Sequence, residues 1–146
     1  MSRVADILAT KGGRVHSVTS ETTVHDALEE MVEHNVGSLV VLDGDEIVGV
    51  FTERDFLRRV ALPGLSPAGT KIRAVMTERL ICVEPARSVD ECMAIMTQER
   101  IRHLPVIDAG RLAGVVSIGD LVKHVSREQE VQIRYLTDYI VGRYPA

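Results

Sequence analysis

The sequence repeats itself once. Displaced by 65 positions, residues 24–57 align with residues 89–122 without a gap. Eight of these 34 pairs are identical: Val24/Val89, Met31/Met96, Leu39/Leu104, Val41/Val106, Asp43/Asp108, Gly49/Gly114, Val50/Val115 and Asp55/Asp120. Another eight are conservative, among them Val36/Ile101, Leu42/Ile107, Ile47/Leu112 and Thr52/Ser117. The matches fall on apolar and turn positions, where a shared backbone restricts residue choice. A fixed internal period of this kind predicts two copies of one supersecondary unit.

Both copies read alike. Residues 15–18 and 81–83 predict short strands. Thr23-Val24-His25-Asp26 and Ser88-Val89-Asp90-Glu91 fit a capping box, in which a hydroxyl accepts from the orphan N–H groups of a first helical turn. Helices over 24–34 and 89–99 follow, with apolar residues at helical spacing. Residues 38–42 and 103–107 are mostly apolar and β-branched. Asp43-Gly44-Asp45 and Asp108-Ala109-Gly110 predict tight hairpins into return strands over 47–52 and 112–117. Helices starting near Glu53 and Ile118 complete a β-α-β-β-α order. Helical turns near 4–8 and 72–76 precede the first strand of each copy.

The predicted organisation is therefore repeat 1 over 1–60, a linker over 61–70, repeat 2 over 71–125 and a helical tail over 126–146. The linker carries two Pro and two Gly between Ala61 and Gly69. In the tail, Val131, Ile133, Leu136, Tyr139 and Ile140 form an apolar stripe suited to docking on the body or on a second subunit.

Composition narrows the function. An apolar fraction of 45% and a net charge of −4 exclude intrinsic disorder. No apolar run approaches the ~18 residues needed to span a bilayer. The start lacks a secretory apolar stretch, so a cytoplasmic protein without membrane contact is expected. Mild acidity opposes general nucleic-acid binding, because phosphate neutralisation supplies most of that affinity. Aromatics are 3% of the chain with no Trp, and all three Tyr lie in the last dozen residues. The body thus needs an aliphatic core and lacks base-stacking platforms. Cys82 and Cys92 have no matching His spacing for zinc and read as two small buried apolar side chains.

The pattern ending in Gly49-Val50-Phe51-Thr52-Glu53-Arg54-Asp55, repeated as Gly114-Val115-Val116-Ser117-Ile118-Gly119-Asp120, resembles the CBS domain. Two in tandem resemble a CBS pair, or Bateman module. The stretch Arg100-Ile101-Arg102-His103-Leu104-Pro105-Val106-Ile107-Asp108 strengthens the likeness, which covers residues 4–125. The resemblance implies an α+β fold of two repeats related by pseudo-two-fold symmetry. It implies a module that binds adenine nucleotides (AMP, ADP or ATP) or related adenosyl compounds in clefts between the repeats, and that regulates rather than catalyses. Fold likeness does not fix a ligand; the site residues must.

The motif sets a hydroxyl and a carboxylate three residues apart, at a strand end and a first helical turn. The carboxylate can accept from both ribose hydroxyls, as the acidic residue of dinucleotide folds does. The hydroxyl and nearby N–H groups favour an anion. The same pattern also serves plain helix capping. By the resemblance, Thr52, Glu53, Arg54 and Asp55 face Arg87, Cys92, Arg102 and His103. Ser117, Ile118, Gly119 and Asp120 face Thr22, Ala27, Gly37 and Ser38. The first cleft then gathers arginines, which match phosphate oxygens in a fork. The second receives small uncharged residues. The first is therefore expected to be the better phosphate binder. Lys11 and Arg14, beside Gly12-Gly13, resemble phosphate-proximal segments of some family members. Strands 38–42 and 103–107 can give adenine an apolar slot, with Pro105 where no donor is required.

No nucleophile elbow, P-loop or metal motif appears, so no enzyme, required cofactor or metal is expected. The alternatives are a sensor of NAD(H) or S-adenosylmethionine, or a ligand-free dimerisation scaffold. The resemblance further implies a homodimer forming a four-repeat disc, joined by the helices at 56–60 and 121–125. Its signal would pass to an unknown regulated protein in trans.

Overall fold

A computed structural model describes residues 2–128. Its main elements in chain order are α1 (Val4–Lys11), β1 (Ser17–Val18), α2 (Val24–His34), β2 (Ser38–Asp43), β3 (Glu46–Thr52), α3 (Glu53–Phe56), α4 (Val89–Glu99), β4 (His103–Asp108), β5 (Arg111–Ser117) and α5 (Ile118–Glu128). The tail beyond Glu128, with its apolar stripe, lies outside the described residues.

The repeat is carried through to the backbone. Strands β2 and β3 pair antiparallel from Ser38↔Thr52, and β4 and β5 from His103↔Ser117, the same register 65 residues on. Each hairpin carries one irregularity at the matched step, Val41/Leu42 and Val106/Ile107. β1 adds to β2 in parallel. Its expected counterpart at 81–83 shrinks to a single parallel bridge, Val83 to Val106, with Val83 N–H donating to Pro105 O. Pro105 cannot return a donor, which limits that ladder. Helices α2 and α4 start on the predicted caps: Thr23 Oγ1 accepts from Asp26 N–H at 3.2 Å and Ser88 Oγ from Glu91 N–H at 3.1 Å. Both helices end on a left-handed residue, Asn35 and Arg100.

Two half-cores result. One gathers Val24, Met31, Leu39, Val41, Phe51 and Val60; the other Val89, Met96, Leu104, Val106, Val116 and Leu121. Each is completed by a segment from the opposite end of the sequence. Val4 and Ile7 of α1 are buried in the second half-core, whereas Ile72, Val75 and Met76 are buried in the first. Backbone bonds seal the exchange. Val4 N–H donates to Arg87 O at 2.9 Å and Val89 N–H to Ser2 O at 2.9 Å; Ile72 N–H donates to Thr22 O at 2.8 Å and Val24 N–H to Thr70 O at 2.8 Å. In space, then, each unit incorporates one short segment that the sequence places with the other repeat. The exchange makes each small unit depend on the other, which offsets the thin core of about 60 residues.

Gly49 and Gly114 are identical in the repeat because of this exchange. A Cβ on Gly49 would fall 2.7 Å from Met76 Sδ and 3.0 Å from Thr77 O. One on Gly114 would fall 2.8 Å from Leu8 Cδ2.

The helix closing the first unit widens after Phe56. Over Leu57–Ala61 its bonds run five residues apart, as in Leu62 N–H to Leu57 O at 3.0 Å. Its counterpart α5 continues as an α-helix to Glu128. Of the two cysteines, Cys92 is fully buried but Cys82 is exposed, which corrects the expectation of two buried thiols.

Candidate functional site

Both motifs fold as capping boxes. Thr52 Oγ1 accepts from Asp55 N–H at 3.1 Å, and Asp55 Oδ2 accepts from Thr52 N–H at 3.0 Å. Ser117 Oγ accepts from Asp120 N–H at 3.1 Å, and Asp120 Oδ2 from Ser117 N–H at 2.8 Å. Capping consumes part of each carboxylate but leaves each hydroxyl proton free to donate.

The exchanged segments then treat the two carboxylates differently. In the first unit Asp55 is 6% exposed, and its other oxygen accepts from Thr77 Oγ1 at 2.9 Å. In the second, Lys11 Nζ donates to Asp120 Oδ2 at 2.6 Å and to Val115 O at 2.8 Å. Burial alone would raise the Asp120 pKa; the Lys11 ammonium and the Ser117 bonds outweigh it and hold the pKa below the usual carboxylate value.

A cavity of about 390 Å³ opens on the Ser117 side. Lys11, Arg14 and His16 form one wall, Asn35, Gly37 and Ser38 a second, and His103 and Ser117 a third. Val40, Val50, Pro105 and Val115 supply apolar surface from the four paired strands. Strands 38–42 and 103–107, expected to offer an apolar slot, contribute Val40 and Pro105 to this lining, and the return strands contribute Val50 and Val115. The two cations in this lining, Lys11 and Arg14, suit an anion. His103 is held below the ordinary histidine pKa, first by burial and then by Lys11, against the opposing pull of Asp120. His16 is likewise lowered, first by burial and then by His34, on which it stacks at 4.0 Å. His34 Nε2 in turn lies 3.1 Å from Glu30 Oε2.

The structure redistributes the expected site residues. Gly37, Ser38 and Ser117 meet at the cavity, with Asp120 reaching it through Lys11. His103 joins them rather than Thr52 and Asp55. The second cleft is not the small and uncharged one, because α1 delivers Lys11 and the following segment Arg14. Ala27 and Cys92 are fully buried in the two half-cores and offer a ligand no surface. Thr22 and Arg87 instead receive the exchanged segments through their carbonyls; the Arg87 side chain pairs with Glu91 at 2.9 Å. Glu53 and Ile118 begin their helices by donating N–H groups to Gly37 O and Arg102 O, at 3.0 and 2.8 Å. Arg54, Arg102 and Gly119 are exposed. Sequence reasoning missed His16 and Asn35. The only sequence signal was a polar residue opening an apolar strand, and one ending an apolar helix.

Among the described residues, two side-chain triplets could approach a metal: His25, Asp26 and Glu29, and Glu30, Glu33 and His34. Each histidine is already paired with a carboxylate of its own helix. No helix among the described residues is long and apolar enough to cross a membrane.

The chain is similar to known proteins over most of its length. It is 40% identical to the mitochondrial CBS domain-containing protein CBSX3 of Arabidopsis thaliana, over 97% of this chain and 73% of that one. A solved structure of a candidate signal-transduction protein with CBS domains from Burkholderia ambifaria MC40-6 is 46% identical, with a TM-score of 0.84 over 88% of this chain and 96% of the other. A hexameric CBS-CP12 protein from bloom-forming cyanobacteria is 27% identical, with a TM-score of 0.72 over 82% and 70% of the two chains. Such pairs act as regulatory, ligand-binding modules. The CBS domain pattern matches at residues 4–62 and again at 72–127, and the chain belongs to the CBS domain family as a tandem pair.

Proposed function

We propose that the protein is a non-catalytic sensor that binds an adenine nucleotide, with AMP as the simplest candidate, in the Ser117 cleft. One observation carries the reading: Lys11, Arg14 and Ser117 line one cavity together with the apolar surface of Val40, Val50, Pro105 and Val115. Cations and a hydroxyl suit a phosphate, and the Val40, Val50, Pro105 and Val115 surface suits a base. This reverses the sequence preference for the Thr52 cleft, where Asp55 is buried and already bonded to Thr77. Calorimetric titration of AMP tests it. Wild type should bind, Arg14→Ala should bind about tenfold or more weakly, and Arg102→Ala should bind as wild type does. Equal affinity in wild type and Arg14→Ala would sink the reading. A thermal-shift comparison of AMP, ADP, ATP, NAD and S-adenosylmethionine orders the ligands, because binding to the native state alone raises stability by RT ln(1 + [L]/Kd).

We also propose that two chains pair through the helices that follow the motifs, and that a bound nucleotide signals to a separate protein in trans. The matched residues Leu57 and Val122 are 58% and 48% exposed, and Leu62 is 83% exposed. Large apolar side chains clustered on matched helices are a common sign of an interface. A light-scattering mass of 16.1 kDa, that of one chain, would contradict the pairing.

A further inference from the structure

We infer that occupancy of the Ser117 cleft clamps α1 onto the second unit, so that ligand binding and the docking of this helix are one linked equilibrium. The inference rests on the reading of the cleft as a nucleotide site. Four cavity-lining residues, Lys11, Arg14, Val15 and His16, belong to the end of α1 and the segment leading from it. These residues form a wall only while α1 is seated.

The seating is firmest at the near end of α1, where Val4 N–H donates to Arg87 O and Val89 N–H to Ser2 O. Two side chains of α1, Val4 and Ile7, are buried in the second half-core, and Leu8 packs at its edge against Gly114. The polar ties at its far end are the two bonds from the Lys11 ammonium, to Asp120 and to Val115 O. That ammonium has three donors, so one remains for a ligand in the cavity it lines. A phosphate there gains Lys11 and Arg14 together, and adds a third tie from α1 to the body. A ligand that binds only the seated arrangement must shift α1 towards it, and an unseated α1 must weaken the ligand by the same factor. The first unit lacks such a device. Its exchanged segment meets the motif through the uncharged Thr77, which is closed on a buried Asp55.

Amide hydrogen exchange on the full chain tests the linkage, read over residues 4–11 with and without saturating AMP, and with ATP in parallel. Exchange of α1 should slow about fivefold or more, within the usual range of coupling between sites. Residues 72–76, the counterpart segment, should change little. In the reciprocal arm, Leu8→Ala should weaken AMP binding about fivefold, and Val75→Ala, which loosens the other exchanged segment, should leave it unchanged. A thermal melt confirms that both variants fold. Nucleotide binding with α1 exchange unaltered would overturn the clamp while leaving the nucleotide site intact. No binding of either nucleotide would overturn the site, and the clamp with it.

Discussion

Thr77 donates a hydrogen bond to Asp55 across 2.9 Å and thereby joins the segment after the linker to the motif of the first unit. Asp55 is 6% exposed, so its oxygens rely on partners inside the fold. Thr77 Oγ1 and the Thr52 N–H donate to it, and the Arg59 guanidinium lies at an ion-pair distance of 4.0 Å. Arg59 also donates to Val75 O and Met76 O, at 3.2 and 2.8 Å. Thr77→Val keeps the shape and removes one donor from a buried carboxylate. It should cost about 1–3 kcal/mol, the penalty of an unmet buried polar group. Urea denaturation measures it; a change below about 0.5 kcal/mol would show that Arg59 or water replaces the hydroxyl.

The two repeat glycines should differ in their tolerance of a methyl group. At Gly114 the contact is the far end of a flexible side chain, Leu8 Cδ2 at 2.8 Å, and no backbone atom comes nearer than 3.7 Å. At Gly49 the Met76 Sδ contact at 2.7 Å is backed by the carbonyl of Thr77 at 3.0 Å, in a strand bridge that cannot yield cheaply. Overpacking of this kind costs about 1–3 kcal/mol. Gly49→Ala should therefore destabilise more than Gly114→Ala. Paired thermal melts settle the order, and the reverse order would refute the backbone explanation.

Local chemistry made much of this fold legible in the sequence. Hydroxyl caps at Thr23 and Ser88, alternating strands and short turns specify each unit within a few residues, and the repeat says that there are two. The exchange of α1 and residues 70–77 between units was not legible. Helical periodicity in Val4 and Ile7 shows that a face is buried, but not which half-core buries it. The placement of charge in the clefts failed for the same reason: Lys11 lies 109 residues from Asp120, and only the exchange brings them together. Arg102 and His103 are adjacent in the sequence, yet Arg102 stands exposed in the bend before β4, whereas His103 opens the strand and lines the cavity.

Ala109 marks the one hairpin position where this sequence works against its backbone. It sits at φ 51° ahead of Gly110 at φ 78°, both in the left-handed region. The matched turn has Gly44 at φ 64°. A Cβ residue other than Asn or Asp costs about 1–2 kcal/mol there, and Asn-Gly is the preferred pair for such two-residue loops. Ala109→Asn should stabilise by about 0.5–1 kcal/mol, raising Tm by about 1–4 °C. The turn is exposed and outside the cavity, so nucleotide affinity should not move. A fall in Tm would show that the turn is not under the strain its dihedrals imply.

Nucleotide binding should be coupled to proton uptake at His103. Burial and the nearby Lys11 hold its pKa below 6.5; Arg102 pushes the same way, and Asp120 and Glu53 oppose. The sign follows from linkage. Because the folded pKa is depressed, the unfolded chain takes up the proton first as pH falls. The stability contributed by a neutral His103 is present above pH 6.5 and is lost as pH drops through the folded value. A phosphate entering between Lys11, Arg14 and His103 adds a negative charge that favours the imidazolium and raises that pKa. Binding should therefore tighten between neutral pH and about pH 6, and His103→Gln should abolish most of that gain. Proton NMR reads the ring directly: its midpoint should lie below 6.5 in the free protein and move up with AMP. In calorimetry near pH 6 the observed heat should scale with the ionisation enthalpy of the buffer. A midpoint unmoved by saturating AMP would place the phosphate away from His103 and sink the coupling.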